Sequence, residues 1–226
     1  MSHPGHPGHP GRPARPACPL PVVRPGRMAF FVLASVLGIV LLGAVMAARG
    51  EPAPGFAESI FQSPAPQKPV DSVLAVAPGD PMPDFDLPAI DGGRVRLADF
   101  LGKKKLVISF VPAAWTPVCS GQWPGYNIAK EIFEAENAEL IGISVDNVPS
   151  LHAWVTQMGG LWFPVASDFW PHGALARKLG ILRPEGVTER AIFIVDEKGV
   201  IRSIAVSDIN IRPDLGELVR ALRDIP

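Results

Sequence analysis

The chain has 226 residues, which is enough for one ordinary domain of roughly 100–200 residues plus additional segments. Its 21 basic and 22 acidic side chains nearly cancel, which excludes a protein that holds nucleic acid through a global positive field, so we expect no nucleic-acid partner. Two cysteines exclude a disulfide-stapled miniprotein and a four-cysteine zinc site. The 26 prolines and 22 glycines indicate an irregular portion, which we place in the N-terminal third.

The first 27 residues predict a disordered tail. They open with a His-Pro-Gly repeat and continue rich in proline and arginine. Prolines lack an N–H donor and glycines lack a side chain, so such a segment cannot form a packed core. The histidines His3, His6 and His9 leave a metal-binding interpretation open. Because histidine-rich tracts are loose metal signals, we interpret them as low-complexity repeat and predict no metal site.

Residues 28–48 are apolar and carry no charge. A helix that rises ~1.5 Å per residue would span roughly 30 Å here, the thickness of the hydrocarbon core of a bilayer. Basic residues precede the stretch and acidic residues follow it, which predicts a cytoplasmic N-terminus and an extracytoplasmic C-terminal domain, periplasmic in a bacterium. A cleaved signal peptide is the alternative, but its apolar region should be only ~7–15 residues long. We therefore expect one transmembrane helix that serves as a signal anchor.

Residues 49–80 are rich in proline and alanine and predict a stiff, extended linker. From 81 to 226 the composition is that of a globular domain, and apolar runs of strand length alternate with helical patterns. In chain order we predict a short hairpin around Asp91-Gly92-Gly93, a buried strand at 106–111, a helix that carries Cys119, a buried strand at 140–145, a helix after Pro149, a short extended piece at 163–166, a helix at 173–179, a hairpin of 191–195 with 200–206, and a last helix from near Pro213. This order predicts an α/β domain with a mixed sheet and helices on both faces, as in the thioredoxin-like fold.

Cys119 lies in the first turn of the helix that follows the strand ending at Val111. Unpaired backbone N–H groups in a first turn favour an anion, so this position predicts a stabilised thiolate. Pro124 cannot donate to the carbonyl of the preceding turn and should kink the helix just beyond the cysteine. We expect Trp115 and Trp123 to pack at the border of the site rather than to act in catalysis.

Three residues near this cysteine form a motif. Pro112, Thr116 and Cys119 stand in the arrangement Pro-x-x-x-Thr-x-x-Cys, directly after the apolar strand. This arrangement resembles the active-site signature of the peroxiredoxins, the alkyl hydroperoxide reductase and thiol-specific antioxidant family. The resemblance covers roughly residues 81–226 and includes the strand that begins at Arg190. In that family an arginine in this place reaches back to the cysteine, so the resemblance implies that Arg190 lies beside Cys119.

The resemblance implies a thiol-dependent peroxidase that reduces hydrogen peroxide or organic hydroperoxides through a cysteine sulfenic acid. Cys119 would attack one peroxide oxygen, while Arg190 would stabilise the thiolate and the developing negative charge. The Thr116 hydroxyl would hold the peroxide in line, and Pro112 would add a wall without a competing donor. Taken singly, each of the three other residues has a common structural explanation. Arg190 would be part of a surface ion pair, Thr116 a helix N-cap and Pro112 a turn residue. Gln122 lies one turn beyond the cysteine, which leaves a contact with the site open, but we do not count it among the catalytic residues.

The sequence departs from many family members because its domain has no second, resolving cysteine. Cys18 is the only other thiol, and the predicted topology places it across the bilayer from Cys119. The sequence therefore predicts a one-cysteine peroxiredoxin whose sulfenic acid is reduced by an external thiol, either a thioredoxin-like protein or a low-molecular-weight thiol. A homodimer is left open.

Two other functions are considered for a thioredoxin-like domain with this cysteine. A membrane-tethered thiol–disulfide oxidoreductase would need a Cys-x-x-Cys motif, but the position three residues after Cys119 is Gln122. A non-enzymatic redox sensor would use Cys119 only as a site of oxidation. His152 and His172 have no ligand partner at metal spacing, so we expect neither a metal nor another cofactor.

Overall fold

The computed structural model describes residues 65–225. The predicted tail at 1–27 and the predicted transmembrane helix at 28–48 lie outside these residues, so both stay predictions from the sequence. Among residues 65–225, no helix has both the length and the apolar character that crossing a membrane requires.

Strands and helices alternate through the described part of the chain in the predicted order. They are β1 (Asp86–Pro88), β2 (Arg94–Arg96), β3 (Lys105–Phe110), α1 (Pro117–Asn127), α2 (Lys130–Ala135), β4 (Ala138–Ser144), α3 (Val148–Gln157), β5 (Val165–Ser167), α4 (Ala174–Leu179), β6 (Arg190–Val195), β7 (Ile201–Ser207) and α5 (Leu215–Arg223). Strands β1 and β2 form the predicted short antiparallel hairpin. The other five strands form one sheet in the order β5-β4-β3-β6-β7.

The pairing of β3 determines which parts of the chain meet at the edge of the sheet. β3 runs parallel to β4 on one side and antiparallel to β6 on the other. Because β3 and β6 run in opposite directions, the end of β3 lies beside the start of β6, and Phe110 pairs with Ala191. The loop that leads from β3 to Cys119 therefore lies next to Arg190, the first residue of β6. The topology alone brings two of the predicted site residues to one edge.

Both faces of the mixed sheet are covered, which confirms the predicted layers. Alternate residues of β3 point to opposite faces, since Val107 and Ile108 belong to different core clusters. The cluster around Val107 includes apolar side chains of α1, α2, α3 and α5. The cluster around Ile108 includes side chains of the β1–β2 hairpin and of α4. Helices thus lie on both sides of a sheet whose central strands are fully buried, as in the thioredoxin-like fold.

Two helices differ from the prediction in their boundaries. We expected one helix after Cys119, but the structure has two, because α1 ends at Asn127 and Ala129 precedes α2 with a non-helical backbone. The last helix begins at Leu215 rather than near Pro213. The reason is that the Asp214 side chain accepts a hydrogen bond from the Glu217 amide at 2.9 Å and so caps the helix.

Residues 65–80, which we expected to belong to the linker, pack along the domain. The amide of Ala75 donates to the carbonyl of Leu179 at 3.0 Å, and the amide of Gly79 donates to the carbonyl of Ile201 at 2.8 Å. Gly180 has a φ of +74°, and a Cβ there would lie 2.3 Å from a backbone carbonyl oxygen of this segment. Only glycine combines that conformation with so close an approach. Residues 65–80 are therefore part of the fold, and residues 49–64 of the predicted linker lie outside the described residues.

A buried ion pair holds the start of this segment on the domain. Arg183 donates to Glu189 at 2.9 Å, and the two side chains are 1% and 0% exposed. The second carboxylate oxygen of Glu189 accepts from the amide of Asp71 at 2.7 Å. Arg183 also donates to the carbonyl of Lys68 at 3.0 Å. The pair thus gives its remaining hydrogen-bonding capacity to the backbone of residues 68–71.

We expect Glu189→Ala to lower the free energy of unfolding by about 3–5 kcal/mol, because it leaves the guanidinium of Arg183 buried and without its carboxylate. Urea unfolding of the purified protein measures the change. Glu185→Ala is the control, since Glu185 contacts the same arginine at 3.4 Å but is 54% exposed. That variant should lose less than about 1 kcal/mol. Equal losses in both variants would contradict the structural role given to Glu189.

Candidate active site

Cys119 lies where the sequence predicted it, in the first turn of α1. The helix begins at Pro117, and Thr116 occupies the N-cap position with an extended backbone. A proline suits the first helical position because its missing N–H would have no intrahelical partner there. The Cys119 side chain is 0% exposed and belongs to the core cluster of the α1 face. The sulfur therefore lies beneath the surface, in the first turn of the helix.

Arg190 lies beside the sulfur, as the resemblance implied. Its Nη2 donates to the Cys119 Sγ at 3.5 Å and to the carbonyl of Ile209 at 2.9 Å, while Nη1 donates to the Gln122 Oε1 at 2.6 Å. The side chain is 1% exposed. Among the described side chains, Arg190 Nε is the only buried nitrogen or oxygen atom without a hydrogen-bond partner. The site therefore contains a fixed, permanently charged group whose Nε has no hydrogen-bond partner.

Gln122 holds this guanidinium in place, a role that the sequence analysis did not assign to it. Its side-chain amide nitrogen donates to the Ser109 hydroxyl at 3.1 Å and to the Tyr126 hydroxyl at 3.2 Å. These two bonds direct the amide oxygen toward Arg190. Gln122 is 0% exposed and Ser109, in the middle of β3, is also fully buried. The spacing of three residues from the cysteine, on one side of a helix, was the available signal for Gln122.

The Tyr126 hydroxyl completes this buried polar group. Burial raises the pKa of Tyr126 above its ordinary value, and the hydrogen bond with Gln122 acts in the opposite direction without cancelling the effect. The phenol is therefore neutral at physiological pH and acts as the acceptor for Gln122. Trp123, 0% exposed, adds a hydrogen bond from its indole Nε1 to Ser109 at 3.2 Å. Each of these polar groups has a partner, which a dry interior requires.

Thr116 and Pro112 line a cavity next to Arg190. The cavity has a volume of about 270 Å³, and most of its walls are apolar. Its lining residues are Pro66, Gln67, Pro112, Ala113, Thr116, Pro117, Val118, Val187, Arg190, Ile209 and Asn210. The Thr116 hydroxyl donates to the carbonyl of Ala113 at 3.1 Å and makes no capping bond. The structure thus places Thr116, Pro112 and Arg190 on one cavity, whereas Cys119 is not among its lining residues and contacts Arg190 instead.

The remaining aromatic residues of the motif region differ in their surroundings. Trp123 packs against Trp154 with ring centroids 5.1 Å apart, inside the core rather than on the cavity. Trp115 is 40% exposed and has a φ of 67°. The prediction that both tryptophans lie at the border of the pocket is therefore wrong. Neither ring is among the residues that line the cavity, because Trp123 faces the sheet and Trp115 lies on the loop surface.

Comparisons with known proteins show to which family the domain belongs. The sequence profile described as the AhpC/TSA family matches residues 78–204. The chain is 32% identical over 155 residues to the chloroplastic 2-Cys peroxiredoxin BAS1 of Hordeum vulgare, which covers 64% of this chain and 73% of that protein. It is 35% identical over 125 residues to alkyl hydroperoxide reductase E of Mycobacterium tuberculosis, which covers 55% of this chain and 81% of that protein.

Solved structures of two peroxiredoxins share the fold of this chain. The reduced 2-Cys peroxiredoxin of Plasmodium vivax superposes with a TM-score of 0.62 at 27% identity, over 66% of this chain and 82% of that chain. AhpC of Enterococcus faecalis superposes with a TM-score of 0.60 at 30% identity, over 65% of this chain and 90% of that chain. The sequence profile, the relatives and the fold all indicate the same family. In this chain a buried cysteine contacts a buried arginine. The chain therefore belongs to the AhpC/TSA family and is a peroxiredoxin, a thiol-dependent peroxidase.

Proposed function

We propose that the chain reduces hydroperoxides at Cys119 by a one-cysteine mechanism in which Arg190 supplies the positive charge and an external thiol restores the sulfur. The observation that carries this proposal is the contact between Arg190 Nη2 and Cys119 Sγ at 3.5 Å. A guanidinium held by a side-chain amide and a carbonyl cannot turn away from the sulfur without breaking both bonds. The thiolate is the nucleophile in this chemistry, and the guanidinium lies at the sulfur that carries it.

In the first step the thiolate of Cys119 attacks the terminal oxygen of the hydroperoxide. The S–O bond forms while the O–O bond breaks, the sulfur is oxidised to a sulfenic acid, and the peroxide is reduced. The leaving alkoxide or hydroxide takes up a proton and departs as an alcohol or as water. The Nε of Arg190 has no partner and would donate to a peroxide oxygen, but it is buried, so the peroxide reaches it only when the residues that cover it shift. A fixed cation beside the breaking bond stabilises the negative charge that develops on the leaving oxygen.

Thr116 and Pro112 would shape the approach to the sulfur. The Thr116 hydroxyl already donates to the Ala113 carbonyl, so its oxygen is free to accept the proton of a bound hydroperoxide. A hydroxyl has two acceptor lone pairs, and one donated proton leaves both available. Pro112 has no N–H and so offers the peroxide no competing donor on that wall. Together they would hold the peroxide in line for attack.

An external thiol would complete the cycle. Cys119 is the only cysteine among the described residues, so no thiol of this domain can reduce the sulfenic acid. The external thiol would form a mixed disulfide and release water, and a second thiol would free Cys119 and leave as a disulfide. Since Cys119 has no exposed surface, the first turn of α1 must open before that thiol reaches the sulfur. The reductant would be a thioredoxin-like protein or a low-molecular-weight thiol.

The location of the enzyme rests on the sequence. An uncharged apolar stretch at 28–48, preceded by arginines, supports a single membrane anchor with the peroxidase domain outside the cytoplasm. The test is protease accessibility in intact cells that express the full chain. We expect protease added outside the cytoplasmic membrane to cleave the domain. Without protease, the full chain should sediment with the membranes. A domain that is protected from external protease would contradict this topology.

The peroxidase proposal is tested by mass spectrometry of the purified full chain. One equivalent of hydrogen peroxide without reductant should add one oxygen atom, located on Cys119. Dithiothreitol should then remove it, and catalytic amounts of the chain should consume peroxide as long as the thiol lasts. Oxidation of Cys119 without sustained turnover by any thiol would favour a redox sensor. A thiol–disulfide oxidoreductase is disfavoured, because the residue three after Cys119 is Gln122, whose amide binds Arg190.

We expect Gln122→Leu to lower kcat/KM for hydrogen peroxide by about tenfold, because Arg190 loses the acceptor that fixes its position. Stability should fall by about 1–3 kcal/mol, since Ser109 and Tyr126 lose a buried partner. Gln122→Glu keeps an acceptor for Arg190 and should recover most of the rate. Steady-state kinetics and urea unfolding of the three proteins measure both effects. If kcat/KM fell only as far as the loss of stability explains, and Gln122→Glu did not restore it, Gln122 would have a structural role alone.

A further inference from the structure

The segment at residues 66–69 is fastened to the turn at residues 208–210 by a two-way amide contact. The amide of Gln67 donates to the Asn210 Oδ1 at 2.9 Å, and the Asn210 Nδ2 donates to the carbonyl of Gln67 at 2.8 Å. Next to it, the amide of Ile209 donates to the carbonyl of Pro69 at 3.0 Å. These bonds use the backbone of residues 66–69, so the Gln67 side chain takes no part in fastening the segment.

This segment forms one wall of the cavity beside Arg190. Pro66 and Gln67 line the cavity together with Ile209, Asn210 and residues of the cysteine loop. The cavity, of about 270 Å³, is far larger than hydrogen peroxide requires, since a water molecule occupies about 30 Å³ of the liquid. Its mainly apolar lining offers the excess volume to carbon atoms rather than to water.

The segment is also connected to the catalytic arginine through a single residue. Ile209 is 7% exposed, and its amide donates to the segment while its carbonyl accepts from Arg190 Nη2. The same Nη2 contacts the sulfur of Cys119. If residues 66–69 shift, they pull on the amide of Ile209. The carbonyl of the same residue then shifts the position of Arg190. The wall of the cavity and the position of the cation are mechanically linked.

We propose that residues 66–69, which precede the part of the chain matched by the family profile, form the specificity wall of the peroxide site and bind the apolar organic group of a hydroperoxide. The proposal rests on the proposed peroxidase function of Cys119. The hydroperoxide group lies at Arg190, and the organic group extends between Pro66, Gln67 and Ile209. The preferred substrates are hydroperoxides with an apolar substituent, ahead of hydrogen peroxide.

The test compares the full chain with Gln67→Trp. The indole fills the cavity from this wall, while the backbone bonds to Asn210 and the catalytic contacts stay in place. We measure kcat/KM for cumene hydroperoxide and for hydrogen peroxide with dithiothreitol as the reductant. The ratio of the two values should fall about tenfold in Gln67→Trp, because a blocked apolar subsite discriminates only against the substrate that fills it. Asn210→Ala, which removes the amide contact, should lower the ratio several-fold by loosening the same wall.

The same substitution at Gln157 is the matched control, because Gln157 is an exposed residue on α3 that does not line the cavity. Gln157→Trp should keep the ratio of the unmodified chain. An unchanged ratio in Gln67→Trp, or an equal fall in Gln157→Trp, would overturn the specificity wall while the peroxidase function stands. If the unmodified chain reduced neither cumene hydroperoxide nor hydrogen peroxide, the peroxidase function itself would be overturned.

Discussion

Replacing Cys119 with serine is expected to reduce thiol-dependent peroxide consumption to the background rate, a loss of at least about 10⁴-fold. A serine hydroxyl at this position is not ionised near neutral pH and cannot form a sulfenic acid. Its smaller oxygen fits the fully buried position, so the variant should fold normally. The measurement is the initial rate of hydrogen peroxide loss with dithiothreitol in excess.

The matched control for this variant is Cys18→Ser, which removes the only other cysteine of the chain. Since Cys18 precedes the predicted membrane helix, its removal should leave peroxide consumption unchanged. A large loss in Cys18→Ser would show that Cys18 takes part in turnover, and the one-cysteine mechanism would then be wrong. Full activity in Cys119→Ser would refute the assignment of the nucleophile.

Arg190→Met is expected to lower kcat/KM for hydrogen peroxide by about 10²–10³-fold, the effect of removing a preorganised charge-stabilising donor. Methionine has a similar length but neither charge nor donors, so Cys119 loses its only cationic contact among the described residues. Arg190→Lys should recover only part of the rate. Lysine restores the charge, but it lacks the planar fork that binds Gln122, Ile209 and the sulfur together.

Arg202→Met is the control for this series. Arg202 lies on β7, is 41% exposed and pairs with Asp196 at 2.7 Å, so its loss removes a positive charge from the surface without touching the site. Its rate should match that of the unmodified chain, and its stability should change by less than about 1 kcal/mol. If Arg190→Met kept more than about a third of the activity, the electrostatic role given to Arg190 would be wrong.

Strong local patterns explain why most of the fold could be predicted from the sequence. The run at β3 is apolar at nearly every position, which indicates a strand covered on both faces. The hairpin of β6 and β7 follows from two apolar runs around a turn that contains Gly199. Helix boundaries were less accurate, because the cap of α5 is a side-chain contact of Asp214 that composition does not reveal.

The sequence predicted the candidate catalytic residues through a motif and could not predict the residues that support them. Cys119, Thr116 and Pro112 stand within one loop and one helical turn, so their spacing alone predicts that they lie near one another. Arg190 is 71 residues from Cys119, and only its resemblance to the family pattern and the antiparallel pairing of β3 with β6 link the two. Gln122 gave a weaker signal, since its partner Arg190 is 68 residues away.

The sequence could not show, for a physical reason, that residues 66–69 pack on the domain beside the cavity. Proline-rich segments lack the periodic apolar residues that mark a buried element, so the sequence predicts a linker here. In the structure its backbone groups bind a side-chain amide, a main-chain amide and a buried arginine. None of these contacts requires a particular side chain of the segment itself. Sequence patterns report side chains, and contacts made by the backbone alone leave no pattern.

The most direct test of the account is the rate at which hydrogen peroxide oxidises Cys119 in the folded protein. The chain should carry Cys18→Ser, so that Cys119 is its only thiol, and rapid quenching followed by mass spectrometry should count the oxidised sulfur. We expect the second-order rate constant to exceed that of the same chain unfolded in urea by at least about 10³-fold, because only the folded chain holds Arg190 beside the sulfur. Equal rate constants in the folded and unfolded chains would contradict the account.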